Sequence, residues 1–220
     1  GPNNLINDII KHIENSTILS EGGTRISNFQ KKCTVSTLEK LGNGKNADAL
    51  VFLAGTGFGK SFAYQLPLLL WILIKKINAH EKFLHDGTKL SVPCSGLLIF
   101  PRLSLAHDQN KKLVALIELI NNFIQRYPSI TSSAQREFLQ IKPPLRDFSA
   151  GDKDPASHYN EEHDIIITTP QSLGNRLANP ECHSVYRNGI DLILYDEVHT
   201  WEGIEGAEVA ARNARLQNLF

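Results

Sequence analysis

The 220-residue sequence contains no methionine, only three cysteines and no excess of either charge. Lysine plus arginine number 23 and aspartate plus glutamate 23, so no basic field covers the whole molecule. Any nucleic-acid contact therefore has to come from a local patch. Cys33, Cys94 and Cys182 form no C-x-x-C pair and are odd in number, which argues against a disulfide framework. Reduced thiols in a cytosol-like, cytoplasmic compartment are the expectation. Cys182-His183 has no neighbours of ligand type, which argues against a zinc site there. The longest apolar run, LPLLLWILI at 66–74, is far too short for a membrane span. No signal peptide, low-complexity tract or internal repeat is evident, and Gly1-Pro2 reads as a cloning scar. A chain of this size ordinarily has several methionines, so spacings inside a motif carry more weight than spacings between motifs.

What is present is ordinary for a globular chain, 41% hydrophobic and 21% charged, enough for one sizeable core. Five apolar, β-branched-rich runs read as buried strands: ADALVFLAG (48–56 region), SGLLIFP (95–101), RDFSAG (146–151), DIIITTP (164–170) and IDLILYDE (190–197). Most are continuous rather than alternating, as strands covered on both faces should be. Helical patterns fall between them, in SFAYQLPLLLWILIKKI from 61, in LSLAHDQNKKLVALIELINNFIQRY from 103 and in AEVAARNARLQNL from 207. This alternation predicts an α/β fold, a mainly parallel sheet with helices on both faces. Ahead of it lie an amphipathic segment, 3–18, and a helix from Ser27 to about Leu41, separated by Gly22-Gly23. Residues 78–95 read as an irregular excursion, and GDKDPASHYNEEH (151–163) as a polar loop.

The stretch LAGTGFGKSFAYQLP, 53–67, lies between the first strand and the first of these helices. A phosphate-binding loop is usually G-x-x-x-x-G-K-[ST], and here Ala54 holds the first glycine position. In an open parallel sheet ligands sit at the carboxyl ends of strands, which is where this loop falls. Successive N–H groups and the helix N-terminus make an anion cradle. Gly57 and Gly59 would allow close backbone approach, Lys60 would reach the β and γ phosphates, and Ser61 would put a hydroxyl on Mg²⁺. Alanine at 54 costs little where φ stays negative. A plain glycine-rich turn is the alternative for this stretch alone.

The second site narrows the choice. LILYDEVH, 192–199, is an apolar strand ending in two carboxylates. Asp196 is placed to hold Mg²⁺ through its water shell, and Glu197 to orient and deprotonate an attacking water. Adjacent acids at a strand end are otherwise often a solvated turn or a cap. Downstream of a phosphate loop, they point to ATP hydrolysis.

On these residues the chain resembles a superfamily 2 nucleic-acid helicase, in its first RecA-like domain. AxTGxGKS with alanine first looks like helicase motif I, with GKSFAYQLP similar to the RecQ-type continuation, and DEVH looks like motif II in its DExH form. LLIFPRLSLAHDQ (97–109) resembles motif Ia, ITTPQSL (167–173) motif Ib, and FSAGD (148–152) the glycine turn before it. The tail DEVHTWEGIEGAEVAARNARL looks most like Lhr-like and MrfA-like bacterial helicases, some of them found in antiviral phage defence. The resemblance runs from about Arg25 to the last residue. It implies an ATP-binding set of Gln30 (reading the adenine edge), Ala54, Thr56, Gly57, Gly59, Lys60 and Ser61. Lys60, Asp196 and Glu197 would be catalytic, with Ser61 and Asp196 on the metal. Pro101, Arg102, Ser104, Gly151, Thr169 and Pro170 would touch the sugar-phosphate backbone of a DNA or RNA strand. His199 and Trp201 would couple the two sites. Turn and helix-cap chemistry is the plain alternative for the serine and threonine positions, and simple packing the alternative for His199 and Trp201.

Arg102 departs from the threonine usual in motif Ia. No S-A-T motif III, second RecA-like domain or arginine finger is visible, so the sequence reads as a fragment. Its expected organisation is a scar and helical extension at 1–23, then a RecA-like ATP-binding domain at 24–220 that is incomplete at the C-terminus. The function implied is that of an ATP-dependent helicase or translocase motor using ATP and Mg²⁺. The fragment alone would be weakly active or inactive, and protein partners in a larger complex are implied. A nucleotide-binding scaffold, and a restriction-type duplex translocase that never unwinds, share every motif seen.

Overall fold

The computed structural model describes residues 2–16, 26–43, 50–53, 59–92, 94–147, 163–180, 183, 190–200, 206–207, 209–211 and 214–215. Six helices and four strands follow in chain order: α1 (Pro2–Glu14), α2 (Asn28–Gly42), α3 (Lys60–Asp86), β1 (Gly96–Ile99), α4 (Leu103–Arg126), α5 (Ser133–Leu139), β2 (Leu145–Asp147), β3 (Ile165–Thr168), α6 (Pro170–Ala178) and β4 (Leu192–Tyr195). A 3₁₀ turn at Val198–Thr200 closes the series. Two compact units are formed, Gly1–Val92 with Leu113–Ile141, and Pro93–Lys112 with Lys142–Phe220.

The first unit is built round α3. From Ala63 to Leu70 every residue of that helix is buried, so it is apolar on all sides, as a helix enclosed by others must be. It runs through Pro67, whose missing N–H removes one helical bond, and stops at Gly87, a left-handed cap at φ 69. The amphipathic α1 buries Leu5, Ile9 and Ile13, one residue per turn of a single stripe. Its outer end docks on the last turn of α4, where the Tyr127 hydroxyl donates to Asp8 Oδ2 at 2.8 Å and His12 lies 4.8 Å from Phe123. In α2 the buried Thr34 and Thr37 hydroxyls donate to the Gln30 and Cys33 carbonyls, both at 2.8 Å, so neither enters the core unsatisfied.

The second unit holds a four-stranded sheet in the order β2-β3-β1-β4, parallel throughout. Register aligns Ile99 with Thr168 on one side and with Tyr195 on the other, and Asp147 with Thr168. The strands thus end on one line. All four residues of β1 and of β3 are buried, so the sheet is covered on both faces. On one face α6 sets Leu173 and Leu177 against Leu97, Ile99 and Ile166. The buried guanidinium of Arg176 reaches from α6 to Asp147 at the tip of β2, with Nε and Nη2 at 3.0 and 2.9 Å from Oδ1.

The expected α/β class, a parallel sheet flanked by helices, is what forms. Two local expectations are corrected. Residues 50–53, foreseen as the first strand, are irregular, with Val51 77% and Leu53 86% exposed. Strand propensity acts only against a partner, and among the described residues no ladder includes them. Residues 78–86, foreseen as irregular, continue α3, because NAHEKFLHD is polar but carries no helix breaker before Gly87. Two short helices add to the sequence reading: α5, capped by Ser132, and α6, capped by Thr169. The rest of the 48–56 and 146–151 runs, and Gly22-Gly23, lie outside the described residues.

Candidate active site

The phosphate-loop residues belong to the first unit. Gly59 caps α3 in the left-handed region, φ 67 and ψ 40, with no side-chain cap bond and no acidic residue in the first turn. Lys60 and Ser61 are the first two helical residues, both half-buried. A 27-residue helix thus begins with a cation beside N–H groups that no side chain at the cap position occupies, the condition for holding an anion. Ala54, Thr56 and Gly57 lie outside the described residues.

Glycine at 59 is required twice over. Its φ is costly for any L-residue, and a Cβ there would stand 2.3 Å from Gln30 Nε2. The same Gln30 is the fourth residue of an S-x-x-Q capping box: Ser27 N–H donates to Gln30 Oε1 at 2.8 Å, and Gln30 N–H to Ser27 Oγ at 3.2 Å. Its Nε2 donates to the Gly59 carbonyl at 3.3 Å. The carboxamide therefore ties the start of α2 to the start of α3.

The carboxylate residues belong to the second unit. The Asp196 N–H donates to the Ile99 carbonyl at 3.1 Å, which carries the β4 ladder one residue past the strand and sets Asp196 on the sheet edge. Its Oδ1 accepts from the Glu197 N–H at 2.9 Å. Glu197 has φ 51, and among the described residues it alone takes a positive φ without being glycine. The Phe100 N–H likewise extends the β1 ladder to the Thr168 carbonyl at 3.0 Å. Pro101, exposed Arg102 and exposed Ser104 follow on that edge. Thr169 and Pro170 follow β3 on the same edge, as the cap and first residue of α6, and Thr169 Oγ1 accepts from the Ser172 N–H at 3.3 Å. The structure thus brings Arg102, Thr169, Asp196 and Glu197 to the carboxyl edge of one parallel sheet, where α/β folds bind ligands. Gly151 and Trp201 lie outside the described residues, and of His199 only the backbone, in the 3₁₀ turn, is described.

A DEAD/DEAH box helicase family model matches residues 27–218. The chain belongs to that family. It is 25% identical, over 179 residues, to the uncharacterized ATP-dependent helicase YprA of Bacillus subtilis (strain 168), covering 80% of this chain and 19% of YprA. The crystal structure of the DUF1998 helicase MrfA bound to DNA and AMPPNP superposes with a TM-score of 0.59 at 22% identity, over 96% of this chain and 24% of that one. The chain thus spans about a fifth to a quarter of these relatives, and the shared fold is the RecA-like P-loop type.

A serine hydroxyl and an aspartate carboxylate are hard oxygen donors, the chemistry Mg²⁺ takes when phosphates and waters complete its shell, so Ser61 and Asp196 would each suit that ion. Among the described residues no cluster of three His, Cys, Asp or Glu offers an all-protein cage. His183 uses Nε2 on the Leu177 carbonyl at 3.0 Å, and its neighbour Cys182 lies outside the described residues.

The sequence did not announce the capping box of Ser27 or the Arg176–Asp147 pair. The first was readable as S-x-x-Q ahead of the helical pattern. The second joins residues 29 apart in sequence that no local pattern links. Tyr195, just before the carboxylates, has its phenol pushed up to about 12 by burial.

Proposed function

We propose that the chain is the first motor domain of an ATP-driven helicase or translocase acting on DNA, working with a second RecA-like domain. The observation that carries this reading is the carboxylate pair Asp196-Glu197 on the same sheet edge as Arg102 and Thr169, in a chain that also starts α3 with Gly-Lys-Ser. Lys60 and the N–H groups of α3 would bind the triphosphate, and Ser61 and Asp196 would hold its Mg²⁺. ATP with Mg²⁺ supplies the transferable phosphoryl group and the charge that offsets its negative oxygens. Glu197 orients a water and accepts its proton. Arg102, Ser104, Thr169 and the peptide groups beside Pro101 and Pro170 meet the backbone of a nucleic-acid strand. Such contacts bind by phosphate charge and are independent of sequence.

MrfA in its complex holds DNA, which supports DNA as the partner here. No described helix is long and apolar enough to cross a membrane, so the reading needs no bilayer.

The test is ATP turnover and strand translocation by the intact protein, with and without single-stranded DNA or RNA. Lys60→Ala should abolish nucleotide binding, and Glu197→Gln should keep binding while lowering turnover at least about 10²-fold. Partner binding indifferent to both, with no movement on either nucleic acid, would favour a scaffold.

A further inference from the structure

We infer that Thr200 is a positioning residue for Glu197, holding it in a backbone conformation it would not otherwise keep. The inference rests on Glu197 as the residue that activates water. At φ 51 Glu197 occupies the left-handed region, which L-residues other than asparagine and aspartate rarely enter. Such a conformation persists only where its surroundings over-determine it. Here the peptide groups on both sides of the residue are pinned. Ahead of it, the Glu197 N–H donates to Asp196 Oδ1 at 2.9 Å. Behind it, the Glu197 carbonyl accepts two bonds from one residue, the Thr200 N–H at 2.8 Å and the Thr200 hydroxyl at 2.8 Å.

The consequence is directional. Relaxation of φ to its usual negative range swings Cβ of residue 197, and with it the carboxylate, relative to the sheet edge on which Asp196 is fixed by the Ile99 carbonyl. A water activated between the two groups would then be misplaced, and small misplacements of a reacting group cost much in rate. Thr200 is exposed, so its hydroxyl acts through this carbonyl and contributes nothing to a core. The Asp196 bond alone cannot do the work of both, because it constrains the preceding peptide and leaves the following one free to rotate.

The experiment compares Thr200→Val, Thr200→Ser and Glu197→Gln in the intact protein. It reads kcat and KM for ATP, the melting temperature, and the Kd for a single-stranded oligonucleotide in the presence of a non-hydrolysable ATP analogue. The expected result is a kcat lowered about tenfold in T200V, with KM, Kd and melting temperature changed less than twofold or by less than about 2 °C. T200S, which keeps the hydroxyl, should recover most of the turnover. Wild-type kcat in T200V beside an inactive E197Q would overturn the inference while leaving the catalytic role of Glu197 intact. Equal loss in T200S and T200V, or loss of oligonucleotide binding with turnover, would also overturn it. Full activity in E197Q would remove Glu197 from the reaction and this inference with it.

Discussion

The side-chain amide of Gln30 donates to the carbonyl of Gly59 at 3.3 Å, so the first turn of α2 braces the residue that opens α3. Gly59→Ala introduces two separate penalties: an alanine at φ 67, costing about 1–2 kcal/mol, and a Cβ 2.3 Å from Gln30 Nε2. The second falls on the end of a flexible side chain, which can swing aside only by giving up its bonds to Gly59 and Ser27. In a Gln30→Ala background that part disappears. Denaturant unfolding of the two single variants and the double should therefore be non-additive, with a coupling of about 0.5–1.5 kcal/mol. Additive losses would mean that Gln30 and Gly59 do not support one another.

The Arg176–Asp147 pair makes an opposite kind of prediction. Its side chains are only 9% and 2% exposed, so removing either partner takes the salt-bridge counter-charge from a buried group. Arg176→Ala or Asp147→Ala should each destabilise by about 3–5 kcal/mol, while the joint replacement Arg176→Met with Asp147→Leu should cost far less. Chemical denaturation separates the two cases. Because α6 begins with Thr169-Pro170, the single variants should also weaken binding to single-stranded DNA, and the apolar pair should restore it if the helix returns to its seat.

Most of the sheet was legible because β1, β3 and β4 are short, continuous apolar runs, the pattern of strands inside a parallel sheet. The carboxylate tip was legible for the same reason: Asp196 and Glu197 are the first polar residues after such a run. Residues 50–53 misled because strand propensity says what a segment tolerates, and pairing is decided by a neighbour elsewhere in the chain. The left-handed turn at Glu197 was invisible, since the sequence offers glutamate where a positive φ ordinarily announces itself as glycine or asparagine. The tie between Gln30 and Gly59 joins residues 29 apart and likewise has no local signature.

If closure of a second RecA-like domain supplies arginines to the γ-phosphate, residues 1–220 alone should hydrolyse ATP very slowly. An arginine finger contributes about 10³–10⁵ in turnover. A nucleic-acid-stimulated rate for this chain within tenfold of the intact protein would exclude a required second domain. Binding of ATP with Mg²⁺ should survive in the isolated chain, weakened but abolished by Lys60→Ala, which equilibrium dialysis or calorimetry would read.

Alkaline stability should depend on Tyr195. Burial raises its phenol to about 12, against an ordinary value of 10.0, so the folded chain favours the neutral form. Below the unfolded value of about 10 both states bind the proton and the full contribution is present. As pH rises from there, the unfolded state ionises first and binds fewer protons than the folded one, so the stability gained from the neutral phenol drains away until about 12. The drop should amount to about 1–2 kcal/mol, allowing for the partial exposure of the ring. Lysines and other tyrosines titrate in the same window, so the informative quantity is the difference between wild type and Tyr195→Phe. That difference should be flat from pH 7 to 9.5 and then shift in favour of the phenylalanine variant. A constant difference across the whole range would show that the phenol sits in a water-like setting, and that this strand end is more open than its burial indicates.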